Sequence, residues 1–300
     1  MRVFVTGATG FIGSAVTRDL LDAGHEVLGL ARSDKGAEAL KSAGAEVHRG
    51  NLNDLDSLRR GAEAADGVAH LAFNHDDFTD LAASGKADLR AVEAIGDVLE
   101  GSGKPFVVSS GLLTAPGRTG TEEDPADPAS PAAHRVASEV ATLALAERGV
   151  RSSVLRLPPT VHGEGDAGFV SMFITIARDK GVSAMVGDGA NHWPAVHRFD
   201  AARLFRLALE SAPAGVRLHA VDDEGVPFRE IAEVIGRHLD LPVVSVTREE
   251  AADHFGWLGH FAPFGMRASS SLTRKLLDWE PTHASLIEDL DAGHYFGDLA

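Results

Sequence analysis

The sequence predicts a doubly wound α/β fold: a parallel sheet covered by helices on both faces, with a smaller mixed α/β C-terminal lobe. Three observations predict it. Short apolar runs alternate with amphipathic helical patterns through the first half of the 300-residue chain. A glycine-rich turn, Thr6-Gly7-Ala8-Thr9-Gly10-Phe11-Ile12-Gly13, separates the first apolar run from the first helical pattern. The chain also has no cysteine and no apolar stretch long enough to span a bilayer, which removes the disulfide-stapled and membrane-spanning alternatives.

Taken in order, Val3-Phe4-Val5 is the first strand. Ile12, Val16 and Leu20 recur every fourth residue and mark the first helix. Residues 26–32 read as strand two, 34–43 as a helix and 46–49 as a short third strand. Asn53 is a suitable N-cap for a helix over 54–64. Residues 67–72 form strand four, and Leu89, Val92, Ile95 and Leu99 set out a longer helix. Strand five covers 106–109. A proline-marked irregular stretch follows from Gly111 to about Ala132, long enough to suggest a functional loop. Residues 133–148 read as a helix and 153–157 as a sixth strand. Beyond this, 168–179, 200–210 and 228–239 are helical. Residues 185–199 are extended around Gly187-Asp188-Gly189, 216–221 form a further sheet strand, and 243–246 another strand. The division this suggests is a dinucleotide-binding domain over 1–157 and a substrate lobe over 158–300, with segments around 190–221 returning to the main sheet.

Ligands of such sheets bind beyond the C-terminal ends of the strands. The predicted strand ends carry Gly7, Ala31-Arg32, Asn51-Leu52, Ala72-Phe73, Ser109-Ser110 and Pro158-Pro159. At the first end, glycine permits a tight turn and a close approach of phosphate to the amides. The helix N-terminus adds unpaired N–H groups and a positive dipole end. The spacing is G-x-x-G-x-x-G, and its strand–turn–helix context is that of a dinucleotide fingerprint. The 44 acidic residues outnumber the 28 basic ones, for a formal charge of −16. That balance argues against nucleic acid or an anionic membrane surface as partner and otherwise reads as solubility. A first strand at residue 1 or 2 leaves no room for a signal peptide, so a cytoplasmic protein is expected.

The ordered motifs resemble those of the extended or atypical short-chain dehydrogenase/reductases, the NAD(P)-dependent epimerase/dehydratase type with its Rossmann domain. They are the glycine turn, Gly50-Asn51-Leu52-Asn53-Asp54, His70-Leu71-Ala72, Val108-Ser109-Ser110, the run from Val154 to Gly163, the run from Pro194 to Asp200, and Leu276-Leu277-Asp278-Trp279-Glu280-Pro281. The resemblance implies cofactor contacts from Gly7, Thr9, Gly10, Phe11 and Ile12 at the phosphates, and from Asn51 and Leu52 at the adenine. It implies further contacts from Leu71, Ala72, Phe73, Ser109, Arg135, Pro158 and Val161 toward the nicotinamide. Family members often dimerise through the helices after strands four and five, here around 89–99 and 133–145, so a homodimer is an expectation.

Cofactor choice follows from charge. An acid at the end of strand two would bind the ribose 2′-hydroxyl of NAD and repel the 2′-phosphate of NADP. Ala31 stands there, followed by Arg32 and Ser33, whose guanidinium and hydroxyl suit a phosphate. NADP is therefore expected, with Asp34 the residue that a small shift of register would bring to the ribose.

The departure from the family concerns its Tyr-x-x-x-Lys pair. This chain has one tyrosine, Tyr295, and the residue four beyond it is Leu299. Counting back from strand six puts Arg135 at the lysine position and Pro131 at the tyrosine position; the other register puts His134 and Ser138 there. Candidates for moving a proton are Ser110, which matches the family's serine region, together with His75, His134, His162 and His197; a close count puts the family's serine position on Gly111, which has no side chain to serve. No metal-ligand spacing stands out. Trp193, Phe261, Phe264 and Met266 could line an apolar substrate pocket or form the lobe's core. The expected activity is hydride transfer between NADP and a small carbonyl or alcohol. A nucleotide-sugar epimerase or dehydratase, or a non-catalytic NADP-binding sensor, are the alternatives.

Overall fold

The computed structural model describes residues 1–74, 80–112, 117–130 and 132–297. The first strand, β1 (Arg2–Thr6), is buried along Val3, Phe4 and Val5 and leads through the glycine turn into α1 (Phe11–Asp22). β2 (Glu26–Ala31), α2 (Asp34–Ala43), β3 (Glu46–Arg49), α3 (Leu55–Glu63), β4 (Gly67–His70), α4 (Leu81–Leu99) and β5 (Pro105–Gly111) continue the alternation. The two-residue β6 (Thr119–Gly120) lies in the proline-marked stretch. α5 (Val136–Ala144) and β7 (Arg151–Leu157) complete the first half.

A return strand, β11 (Val216–His219), joins these in one seven-stranded sheet of order β11-β7-β5-β4-β1-β2-β3. Every pairing in it is parallel. The order reverses direction between β1 and β4, which opens a crevice at their C-terminal ends. Both faces are covered, as a parallel sheet requires. Val16 and Leu20 of α1, Leu40 of α2 and Phe205 of α7 (Arg198–Ser211) pack on one face. Leu58 of α3 and Val92, Ile95 and Leu99 of α4 pack on the other.

The lobe has its own core. β8 (Thr160–His162), β10 (His192–His197) and β12 (Asp223–Pro227) form a three-stranded sheet, and β9 (Ser183–Val186) pairs with β13 (Val243–Val246). Phe173 of α6 (Phe169–Lys180) meets Trp193, Phe228 and Phe255 with ring centroids 5.0–5.6 Å apart, in near-perpendicular geometries favourable for aromatic pairs. Ile231 and Ile235 of α8 (Phe228–Leu239) close this core. α9 (Ala251–Phe255), β14 (Arg267–Ala268), α10 (Ser271–Leu277) and α11 (Leu286–Asp291) complete the chain. β14 pairs in parallel with β6 and so ties the lobe to the loop after β5.

Three local expectations are corrected. β2 ends at Ala31, leaving Arg32 outside the strand. β5 runs through Ser110 to Gly111, because β7 pairs with it as far as Gly111↔Leu157. The helix expected over 133–148 is a 3₁₀ turn (Ala133–Arg135), then α5, then a second 3₁₀ turn ending on left-handed Gly149. The first turn is tight because Arg135 reaches back to the end of β5. Gly85 of α4, lacking a Cβ, admits the His134 carbonyl against the helix.

Candidate functional site

The glycine turn lies at the sheet's switch point. Gly7 has φ +71°, and a Cβ there would stand 2.8 Å from the Ala72 nitrogen, so β1's turn passes directly against the end of β4. A Cβ on Gly13 would meet the Gly7 carbonyl carbon at 2.7 Å, which fixes how closely α1 sits on the turn. Gly10 donates to the Gly7 carbonyl at 2.9 Å and is the extended N-cap of α1. No side chain caps this helix and no acid stands in its first turn, so its positive end faces the crevice uncompensated. Thr9 and Gly10 are exposed, while Phe11 and Ile12 are half-buried at the helix start. The missing Cβ atoms and the open helix end fit the diphosphate of a dinucleotide.

At the next strand end Ala31 is buried and Arg32 is exposed. The Ser33 hydroxyl is used as the N-cap of α2, accepting from Gly36 N at 3.1 Å. Asp34 pairs with Arg49 of β3 at 2.5 Å. A Cβ on Gly36 would lie 3.7 Å from the Thr9 methyl group, so the first turn of α2 abuts the glycine turn. Asn51 makes the turn into α3, its Oδ1 accepting from Asn53 N at 2.9 Å, and Leu52 packs against the core beneath. Leu71 and Val161 pack on the other core, and Pro158 is buried just beyond β7.

On the far side of the crevice a buried polar chain crosses three neighbouring strand ends. Thr6 Oγ1 accepts from Ala72 N at 3.2 Å and lies 2.8 Å from His70 Nδ1. An ionised Asp88 can only accept, so His70 Nε2–H donates to Asp88 Oδ1 at 3.2 Å, and that tautomer leaves Nδ1 to accept the Thr6 hydroxyl proton. The same Asp88 oxygen is 3.4 Å from Arg135 Nη1. Arg135 Nη2 donates to the Ser109 carbonyl at 2.6 Å and to its hydroxyl at 3.3 Å, and the guanidinium lies 4.1 Å over the Phe73 ring. Burial pushes the Asp88 carboxyl up, but Arg135, then His70, outweigh this and hold it below its ordinary range. Burial holds the Arg135 guanidinium down, against the pull of Asp88.

Ser109, Arg135, His134 and Phe73 thus meet at one end of the crevice, with the His134 ring 5.4 Å from that of Phe73. Ser110 is buried with its hydroxyl unpartnered among the described residues. Strand alternation gives it the face of Phe106 and Val108, which pack against α4. Sequence reasoning missed Asp88, although a signal existed: it shares the helical face of Ala91, Val92 and Ile95, so it is an acid on a buried stripe. Pro131 and His75 lie outside the described residues.

The other histidine candidates belong to the joint between the sheet and the lobe. His197 Nδ1 accepts from Phe199 N at 3.3 Å and caps α7, and its ring stacks on His283 at 4.6 Å. His283 Nδ1 is 3.0 Å from Asp200, whose carboxylate also accepts from Thr282 N and His283 N. These three residues bring ligand-capable atoms within 4.8 Å of one another, but the Asp200 oxygens and His197 Nδ1 are already used in capping. His162 pairs with Asp289 at 2.9 Å. Tyr295 donates to Asp166 at 3.1 Å and accepts from Gly163 N at 3.0 Å. Burial, then the Asp166 charge, push the phenol far above its ordinary range. Trp193 is a lobe-core residue, its indole donating to the Phe264 carbonyl at 2.9 Å. Met266 instead packs with Leu112 and Val221 beyond the ends of β5 and β11.

Residues 3–221 match the model of the NAD dependent epimerase/dehydratase family. An uncharacterized Schizosaccharomyces pombe protein, C2A9.02, is 51% identical over 298 residues, covering 99% of this chain and all of that one. A 2-alkyl-3-oxoalkanoate reductase of Stenotrophomonas maltophilia is 29% identical, covering 81% of this chain and 77% of its own. Among solved structures, the dTDP-glucose 4,6-dehydratase DesIV of Streptomyces venezuelae, with NAD and TYD bound, superposes with a TM-score of 0.78. It covers 97% of this chain and 96% of its own at 21% identity, a likeness of fold.

Proposed function

Because the chain belongs to the NAD dependent epimerase/dehydratase family, we propose that it is an NADP-dependent reductase of a small carbonyl compound whose proton delivery does not use a tyrosine–lysine pair. The observation that carries this reading is the glycine turn at the switch point, with left-handed Gly7 against Ala72 and the N-terminus of α1 open. Gly7, Gly10, Phe11 and Ile12 would hold the diphosphate. Leu71, Ala72 and Phe73 would line the path to the nicotinamide, with Pro158 and Val161 on its other side. The bound dinucleotide supplies the hydride.

NADP is favoured over NAD because β2 ends on Ala31 with Arg32 next, while Asp34 is engaged by Arg49. Arg135 acts as a strut: its Nη2 is spent on Ser109, so it fixes the end of β5 and the Phe73 ring. His134, half-buried against Phe73, is the titratable group we assign to proton transfer. Ser110 faces α4 and is the weaker candidate. Tyr295 sits in the lobe as a hydrogen-bonded strut, which argues against the epimerase chemistry of a tyrosine base. The Stenotrophomonas relative, a reductase by name, supports carbonyl reduction.

The test is a fluorescence or calorimetric titration of NADPH and NADH with wild type and Arg32→Ala, followed by NADPH oxidation over an aldehyde, ketone and imine panel. NADPH should bind at least tenfold more tightly, about 1.4 kcal/mol, and Arg32→Ala should remove that margin. Tighter NADH binding would transfer the ribose contact to Asp34. Binding of neither dinucleotide would end the reductase reading.

A further inference from the structure

We infer that Arg198 is an additional ligand for the diphosphate of the dinucleotide, delivered to the glycine turn from the first residue of α7. The inference rests on the cofactor reading above and adds a residue that no part of the fingerprint supplies.

Helices α1 and α7 run side by side in the same direction: Arg206 reaches Asp19 at 2.7 Å and His25 reaches Glu210 at 2.9 Å. Their first residues therefore meet at the crevice end of the sheet. The Arg198 guanidinium lies 5.0 Å from the centroid of the Phe11 ring and 4.7 Å from that of Phe199. Phe11 is the residue that opens α1 behind Gly10, so the cation lies on the side chain that begins the uncapped helix. Its side chain reaches this place past Gly163, where a Cβ would stand 3.3 Å from both Arg198 Cγ and Cδ.

What distinguishes Arg198 among the described arginines that are not exposed is its lack of acceptors. Arg156 is bound by both Glu139 oxygens and the Asp124 carbonyl, Arg206 by Asp19 and Glu210, and Arg151 by three carbonyls at the end of α7. Arg198, half-buried, has neither a carboxylate nor a hydrogen-bond acceptor among the described residues, and its Nε is fully buried without one. A guanidinium carries five donors and stays charged, so leaving one unmatched beside an open helix N-terminus is costly unless an anion completes it. Two adjacent cationic elements facing one turn suit a diphosphate, to which arginine donates in a planar fork.

The experiment compares wild type, Arg198→Gln and Arg198→Lys in calorimetric titrations with NADPH, NADH, ADP and 2′-AMP, with thermal melts confirming folding. Arg198→Met, which keeps an apolar stem on Phe11, replaces Arg198→Gln if that variant does not fold. We expect the loss of charge to weaken NADPH, NADH and ADP alike by roughly ten- to a hundredfold, the range for one charge-assisted hydrogen-bonding group. Binding of 2′-AMP should be unchanged, and lysine should restore part of the loss. Arg32→Ala should do the reverse, weakening NADPH and 2′-AMP and sparing ADP. If wild type binds the dinucleotides and Arg198→Gln binds ADP and NADPH equally well, Arg198 only packs on Phe11 and the inference falls while the reductase reading stands. If wild type binds neither dinucleotide nor ADP, both fall.

Discussion

Replacing Gly13 by alanine tests the cradle more sharply than any change of charge. A Cβ at this position would stand 2.7 Å from the Gly7 carbonyl carbon and 3.2 Å from Ala8 Cα, and closer still to the Gly7 oxygen. Carbon atoms pack best at about 3.5–4.0 Å, so α1 must retreat from the turn by about 1 Å. It cannot do so alone, because Val16 and Leu20 on the same helix are fully buried under the sheet. Overpacking of a tight site costs about 1–3 kcal/mol, and the backbone here leaves no flexible side chain to yield, so the upper end applies. For 300 residues unfolding entropy is about 0.6 kcal/mol/K, which converts about 3 kcal/mol into a Tm lower by about 5 °C. The displaced turn should also lose NADPH affinity by more than tenfold. Gly24→Ala is the control: Gly24 has φ +82° but nothing within 4 Å of a Cβ, so it carries the left-handed penalty of about 1–2 kcal/mol alone and leaves cofactor binding intact. The assays are thermal melts, urea melts and NADPH titrations on both variants. A Gly13→Ala protein within about 1 kcal/mol of wild type, with unchanged affinity, would refute the close-packed cradle.

Other predictions concern buried charge. Glu139 is held by Arg156 at 2.5 Å and Arg217 at 2.9 Å and is almost wholly buried. Glu139→Gln leaves two guanidinium groups without their counter-charge and should cost about 3–5 kcal/mol in a urea melt; a loss under about 1 kcal/mol would contradict it. For Asp88, the folded carboxyl titrates below its ordinary 3.8 because Arg135 and His70 outweigh burial. Its contribution is therefore present above pH 3.8 and lost as pH falls through the lower folded value. Asp88→Asn should flatten that acid limb, and an unaltered limb would sink the argument. His197 runs in the opposite sense: burial, then the neighbouring His162 and His283, lower it from 6.5 to about 4. The unfolded chain takes up the proton first, so stability is complete above pH 6.5 and declines toward pH 4, by at most about 1.4 kcal/mol per unit. His197→Asn keeps an acceptor for Phe199 N and should remove this slope in urea melts at stepped pH.

The parallel sheet and its glycine turn were legible because they depend on local signals. Val3-Phe4-Val5, the recurrence of Ile12, Val16 and Leu20, and the spacing of Gly7, Gly10 and Gly13 all fall within twenty residues. The bounds of α5 were not legible, since the turn over Ala133–Arg135 is set by Arg135 reaching Ser109 and by the gap that Gly85 leaves, contacts 26 and about 50 residues away in sequence. The polar chain was half legible. His70 stood inside a quoted motif, and Asp88 lay on a buried helical stripe, but only the fold brings Thr6, His70, Asp88 and Arg135 into line. The pairing of His162 with Asp289 spans 127 residues and left no trace in local pattern.

The return of the chain to the sheet explains why the lobe and the cofactor turn act as neighbours. β10 belongs to the lobe's sheet, and its last residue, His197, is also the cap of α7. The next residue, Arg198, lies over Phe11, and Asp200 two residues on binds Thr282 and His283, while its carbonyl accepts from Trp279 in the main core. Three residues within four positions, His197, Arg198 and Asp200, therefore touch the lobe's sheet, the glycine turn, α7 and the C-terminal segment. Because α7 is held against α1, a displacement of β10 along its own axis has to be taken up at the His197–Arg198 junction, where the strand runs into the helix. Anchoring Arg198 on a diphosphate would fix β10, and with it the Trp193 wall of the lobe core. Cofactor binding should accordingly protect the amides of β10 and α7 from hydrogen exchange along with those of the glycine turn. Arg198→Gln should uncouple the two, retaining protection at the turn under saturating NADPH and losing it at β10. Equal protection of β10 in both proteins would mean that the coupling runs through the α1–α7 packing alone.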